Sequence, residues 1–258
     1  MPAEGTSTTL HAPLQRGAFF CLETMTHSDC DVVIVANGVL TDAEQLRSLA
    51  AAADIVIAAD GGGAHLRALG LRPHWLIGDF DSLDATMLAD FLALGARVER
   101  HPPAKDATDL ELALQLAQRL GATRIRIVAG LGGRHDQALA NLLLLAESSL
   151  AGLDLALLDG AQTLRVLRGP SALTIAGTPG DTLSILPIGG DAVGVTLEGL
   201  AYPLRAARLP LGTSRGISNV LAGATARIVL ESGVLVVVHT ALSGVGSTSR
   251  SNEVSGGI

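Results

Sequence analysis

Residues 54–81 read DIVIAADGGGAHLRALGLRPHWLIGDFD, and the fold turns on this stretch. It opens with an apolar, β-branched run that ends in Asp60. Gly61–Gly63 then lead into a short helical pattern near 64–69, and HWLIGDFD (74–81) reads as a second buried strand ending in Asp79 and Asp81. Neither strand alternates polar with apolar, so each is buried on both faces, as strands of a parallel sheet are.

The same rhythm extends in both directions. Upstream, DVVIVANG (31–38) is a strand and TDAEQLRSLAAA (41–52) a helix, with Thr41 and Glu44 as a capping box. Downstream come a helix over 84–94, the strand ARVERHP, a helix from Thr108 to Leu120, the strand RIRIVAG (124–130), a helix over 136–148 and the strand DLALLDG (154–160). Beyond residue 161 the pattern changes. TLRVLRG, ALTIAG, TLSILPIG, GVTLEGL, TARIVLESG and VLVVVHT are short strands parted by Gly, Pro and Asp turns. The expected fold class is therefore α/β: an N-terminal doubly wound, mostly parallel sheet domain followed by a C-terminal all-β sandwich-like domain. The boundary falls near Gly160, giving domains over 29–160 and 161–242. Residues 1–28 and the Ser/Gly-rich 243–258 are expected to be disordered extensions.

Composition narrows the function. The net charge is −7 and aromatic content is 2%, against the clustered basic face and stacking rings of a nucleic-acid surface. Hydrophobic content of 48% comes from short runs, well below the roughly 18–20 residues of a membrane span. Two cysteines make no disulfide framework or metal site, and no secretory signal is visible, so a cytoplasmic protein is expected.

The acidic residues of the first half fall at strand ends, where a doubly wound sheet presents its ligands. Asp60 closes one strand; Asp79 and Asp81 close the next. In extended chain, positions i and i+2 face one side, so both carboxylates can reach one cation. Magnesium takes hard oxygen ligands, typically one or two carboxylates plus substrate phosphates. A helix cap from Asp81 and Ser82 is the competing account of that turn. Asp60 and its glycines, ending the preceding strand, weigh toward a site.

HPPAKDATDLELAL (101–114) adds a different charge. Lys105 is the only lysine; the rest of the 18 lysines and arginines are all arginine. Thr108 with Glu111 is a capping box, and Asp109 suits the first helical turn. Helix making does not account for Lys105, a compact, flexible point charge suited to a phosphate, beside Asp106. In GLGGRHDQALAN (130–141) a glycine turn enters a helix whose first N–H groups favour anions. There Arg134 can grip phosphate oxygens, Asp136 lies beside it or serves as N-cap, and Gln137 and Asn141 share a face. His135 has no partner at metal-ligand spacing and reads as exposed. With no Walker loop, Rossmann fingerprint or nucleophile elbow, the set favours metal-assisted phosphoryl chemistry.

ADGGGAHLRALGLRPHWLIGDFDSL, KDATDLELAL, GLGGRHDQALANLLLL, GDTLSILPIGG, GLAYPL and GTSRGISN occur in the order and spacing of the thiamine pyrophosphokinase family, which the chain resembles from about 32 to 240. The resemblance implies transfer of a pyrophosphoryl group from ATP to the thiamine hydroxyl, with magnesium, in a homodimer whose sites form between subunits. By motif, Asp79 and Asp81 would bind Mg2+, with Asp106 or Asp109 completing the set and Asp109 the working assignment. One of Asp79, Asp81 and Asp109 would orient or deprotonate the hydroxyl. Asp60, Gly61, Lys105, Asp106, Arg134, Asp136 and Gln137 would serve ATP, and Ser218 and Asn219 the thiamine. Rival readings are a pyrophosphokinase for another hydroxymethyl heterocycle such as a pterin, a D-x-D phosphohydrolase or glycosyltransferase, and a non-catalytic binding regulator. The chain departs from the family's DGGAN at Gly63 and Ala64, and from its frequent acid at His74. Tyr202 reads as core.

Overall fold

The computed structural model describes residues 29–81 and 83–242; the two terminal segments expected to be disordered, and Ser82, lie outside them. Strands β1 (Asp31–Val35), β2 (Ile55–Ala59), β3 (Trp75–Gly78), β4 (Arg97–Arg100), β5 (Arg124–Val128) and β6 (Asp154–Asp159) pair in parallel in the order β6-β5-β1-β2-β3-β4. Helices α1 (Ala43–Ala52), α2 (Gly62–Ala68), α3 (Ala85–Ala93), α4 (Asp109–Arg119) and α5 (His135–Leu144) connect them. The continuous apolar runs are explained by two cores. Val32 and Ile34 of β1 face a cluster with Leu110, Ala113 and Leu114 of α4, while Val33 and Val35 face Leu46, Leu66 and Phe91 from α1, α2 and α3.

The chain then adds β7 (Gln162–Arg168), β8 (Ser171–Ala176), β9 (Thr182–Pro187), β10 (Ala192–Glu198), β11 (Leu204–Leu209), β12 (Asn219–Val220), β13 (Thr225–Leu230) and β14 (Val234–Thr240). The sheet does not stop at Gly160. That glycine, at φ 57°, forms with Ala161 a two-residue hairpin turn between β6 and β7. Antiparallel β7, β14, β9 and β12 continue the same ten-stranded sheet, and a second sheet, β11-β10-β13-β8, packs against that end. Leu183, Ile185, Val195, Leu197, Ile228, Leu235 and Val237 fill the space between. The α/β half followed by a sandwich-like β half is the architecture expected from the sequence.

Local readings differ in several places; among them, the N-cap of α5 is Arg134, and Asp136 lies inside the helix's first turn. The cap of α1 is Asp42, whose carboxylate accepts from Gln45 N at 2.9 Å, so the Thr41–Glu44 box does not form. A carboxylate caps as well as a hydroxyl and also suits the helix dipole. Asp84, not Asp81, caps α3, accepting from Thr86 N at 3.0 Å. The helix expected over 136–148 ends at Leu144, because Glu147 caps a separate 3-10 turn at Ser148–Leu150. Strands β11 and β12 went unread: β11 is an exposed edge without clean alternation, and β12 has two residues.

Candidate active site

The strand order reverses at β1, which lies between β2 and β5, and a crevice opens at such a point beyond the carboxyl ends of the strands. Here it measures about 810 Å³ and is lined by Asn37, Gly38, Asp60, Asp79, Lys105, Asp106, Asp109, Arg134 and Gln137 among others. Gly38 N donates to Ala129 O at 2.7 Å and Val39 N to Leu131 O at 2.8 Å, joining the loops that leave β1 and β5.

One carboxylate oxygen from each of Asp60, Asp79 and Asp81 lies within 4.8 Å of the others. Asp60 is only 6% exposed. The backbone is bent to achieve this: Asp60 has φ 44°, Phe80 φ 63°, and Ala129 at the end of β5 φ 53°. Each such non-glycine residue costs of order 1–3 kcal/mol, strain that clusters at ligand sites. The glycines after Asp60 are required by close approach. A Cβ on Gly61 would meet the Asn37 amide at 2.1 Å, and one on Gly62 would meet Val35 O at 2.0 Å. Asn37 in turn donates to Asp60 Oδ2 at 3.4 Å. The amide beside Asp60 thus comes from the end of β1, whereas Ala64, standing where an asparagine is usual, is exposed on α2. Asn37 was missed by sequence reasoning; its signal was an Asn-Gly at the carboxyl end of the first strand.

Lys105 reaches both sides of the acidic set. Its Nζ lies 2.6 Å from Asp109 Oδ1 and 3.8 Å from Asp79 Oδ2. A Cβ on Gly78 would sit 3.1 Å from Asp109 Oδ1 and 3.2 Å from the Asp60 Cβ, so β3 ends where the two meet. The Asp81 N–H donates to Asp79 Oδ1 at 3.2 Å, and this bond, helped by the Lys105 charge, holds the Asp79 carboxyl below its ordinary range. Thr108 caps α4 by accepting from Glu111 N at 3.2 Å, as expected, and Asp106 is exposed at the rim. Across the cleft Arg134 grips Asp136 with two nitrogens, Nε at 3.1 Å, which draws the Asp136 pKa down to about 2. Gln137 is exposed on the same wall, and buried Asn141 donates to Gly130 O at 2.8 Å, fixing the glycine turn. His135 is exposed, as read, and His74 Nδ1 accepts from Val56 N at 2.9 Å. Carboxylates outnumber cations here, so an anionic ligand would be repelled unless a metal ion joined it.

The β half has a smaller cleft of about 410 Å³, lined by Tyr202, Arg215, Gly216, Ile217 and Asn219. Tyr202 is 70% exposed, not core as its sequence suggested. Asn219, 4% exposed, clamps that loop: Oδ1 accepts from Tyr202 N at 2.9 Å and Nδ2 donates to Tyr202 O at 2.7 Å. Ser218, at φ 56°, donates its N–H to Ser184 Oγ at 2.9 Å. Of the two residues expected to meet thiamine, Asn219 therefore faces protein backbone. Tyr202 is the chain's single tyrosine, and the apolar setting of GLAYPL gave no sign of its exposure.

Comparison with known proteins now bears on this arrangement. Residues 46–157 match the family model for the thiamin pyrophosphokinase catalytic domain, and 172–235 that for the thiamin pyrophosphokinase vitamin B1 binding domain. The chain belongs to the thiamin pyrophosphokinase family. It is 28% identical over 185 residues to the thiamine pyrophosphokinase of Bacillus subtilis (strain 168), covering 71% of this chain and 86% of that protein. The crystal structure of the Bacillus subtilis thiamine pyrophosphokinase superposes with a TM-score of 0.73 at 27% identity, over 82% of this chain and 99% of the other. That of thiamin pyrophosphokinase from Geobacillus thermodenitrificans gives 0.70 at 25%, over 83% and 100%. The yeast enzyme, 15% identical, shares the fold at a TM-score of 0.71 over 86% and 89%. As in other thiamin pyrophosphokinases, the chain is an enzyme with catalytic and thiamin-binding regions. No helix among the described residues is long and apolar enough to cross a membrane.

Proposed function

We propose that the protein transfers a pyrophosphoryl group from ATP to the hydroxyl of thiamine, with Mg2+, giving thiamine diphosphate and AMP. The observation that carries this reading is the grouping of Asp60, Asp79 and Asp81, of which Asp60 and Asp79 line one strand-end cleft together with Lys105. The donor set fits magnesium: three hard carboxylate oxygens grouped within 4.8 Å, with room left for phosphates. Asp79 and Asp81 would hold the ion, with Asp60 within reach and Asp109 joined to the set through Lys105. When bound, the ion neutralises charge on the phosphates.

The remaining work belongs to the side chains. Lys105 leaves its pairing with Asp109 to meet a phosphate, and a carboxylate so released orients the attacking hydroxyl or takes its proton. Arg134 exchanges Asp136 for phosphate oxygens, while Gln137, Asp106, Gly61 and the backbone around Asp60 border the nucleotide. Positioning the hydroxyl in line with the β-phosphorus supplies much of the acceleration. Residues 29–160 form the nucleotide half and 161–242 the thiamine half, where Tyr202 offers a face to the heterocycle and Ser218 borders it.

A homodimer fits this division. Helix α5 packs Leu142 and Leu144 on the core and buries Asn141, yet leaves Leu139 and Leu143 59% and 51% exposed on its other side. A second copy covering those leucines would place the subunit interface at this helix. A cytoplasmic location accords with the free Cys30. The test is direct: purified protein with Mg-ATP and thiamine should yield thiamine diphosphate and AMP in equal amounts. Release of ADP, or nucleotide turnover independent of thiamine, overturns the reading.

A further inference from the structure

Between Asp79 and Asp81 stands a residue that the chemistry does not use. Phe80 occupies the left-handed region, which a glycine would enter without strain, yet its ring is buried. The ring lies under a guanidinium: Arg100 Cζ is 4.9 Å from its centroid. The same guanidinium donates from Nη1 to the Asp79 carbonyl oxygen at 2.9 Å. Arg100 ends β4, the outermost strand, where it pairs with Gly78, and His101 N donates to Gly78 O at 2.9 Å. Among the described residues no carboxylate forms an ion pair with Arg100, so its charge is directed at this turn. A planar cation can stack on a ring and donate in its own plane at once, which an ammonium cannot do.

We propose that Arg100 is a positioning residue, a latch from the edge strand that holds the strained Asp79–Phe80–Asp81 turn so that both carboxylates stay aimed at one point. The inference rests on the proposed function only for its catalytic consequence. Without the latch the turn relaxes from positive φ, the Asp81 N–H leaves Asp79 Oδ1, and the two carboxylates separate.

Two variants test this, Arg100→Met and Arg100→Lys, each read first by amide hydrogen exchange in metal-free protein. Arg100→Met should speed exchange in a peptide spanning 76–81 by about 10-fold while a peptide from β5 is unchanged. In the assay it should raise the Mg2+ concentration for half-maximal velocity by about 5–10-fold and leave the thiamine KM alone. Arg100→Lys should fall between, keeping a donor for the Asp79 carbonyl but losing the stacked plane. Unchanged exchange with reduced activity would mean that Arg100 meets substrate directly, and faster exchange throughout the molecule would mean general loosening; either overturns the latch. If wild-type protein makes no thiamine diphosphate the functional reading fails, and the exchange comparison still decides the latch.

Discussion

The two halves hold their exposed groups by opposite means. In the α/β half the residues facing the cleft are charged and crowded, and they sit at strand ends on strained backbone: Asp60, Phe80 and Ala129 all have positive φ. Lys105 is committed to Asp109 and Arg134 to Asp136, so binding means exchanging one ionic partner for another. In the β half the cleft's one aromatic ring, Tyr202, is exposed beside Arg215 and Ile217, and a buried neutral amide, Asn219, fixes its backbone in both directions. Both halves carry strained backbone, with Ser218 at φ 56° beside the clamp; the difference is that one cleft is preorganised by charge and the other by a clamp that carries no charge.

The comparison is broken most severely by removing one charge and keeping the shape. Asp81→Asn should cost on the order of 100-fold or more in turnover, because the site loses charge complementarity that matters most in the transition state. Thermal unfolding should stay within a few degrees of wild type, since the strand beneath is unaltered. Near-normal turnover would remove Asp81 from the site.

The β half should respond in binding rather than in chemistry. Tyr202→Ala should raise the thiamine KM about 10-fold, with stability and ATP KM unchanged, since the ring contributes contact area to one ligand. Asn219→Ala should do the same and also cost about 1 kcal/mol of stability, for the loss of two part-buried hydrogen bonds to the Tyr202 backbone. Loss of stability in Asn219→Ala with an unaltered thiamine KM would uncouple the clamp from Tyr202.

This difference also explains what could be read from the sequence. Asp60, Asp79, Asp81 and Lys105 were legible because strand ends are visible in apolar runs and an ionisable residue placed there is conspicuous. The alternation of strands and helices gave the architecture for the same reason. The continuity of the sheet through Gly160 was not legible, because a hairpin turn and a domain boundary share one glycine signal. The roles of Asn37, Arg100 and Tyr202 depend on contacts between residues distant in the chain: Arg100 acts across a strand pairing, and Tyr202 is held out by an asparagine seventeen positions away. No local pattern marks such pairs.

The smallest effect separates charge from clamp by pH. Asp136 has its pKa lowered from 3.8 to about 2, chiefly by its bond to Arg134. The folded state therefore binds fewer protons than the unfolded chain in this range, so the pair contributes stability above about pH 4 that fades as pH falls toward about 2. Both side chains are exposed, so the contribution is screened and small. In urea titrations Asp136→Asn should trail wild type slightly at pH 6, and the gap should close on approach to pH 2. The gap left by Asn219→Ala should not close in step, because its amide does not titrate. If both gaps shrank together, acid would be loosening the whole molecule and the distinction between the halves would not hold. A gap that persists for Asp136→Asn at the acid end would mean that the ionised Asp136–Arg134 pair is not its source, since asparagine keeps the shape and an acceptor for the Gln137 N–H.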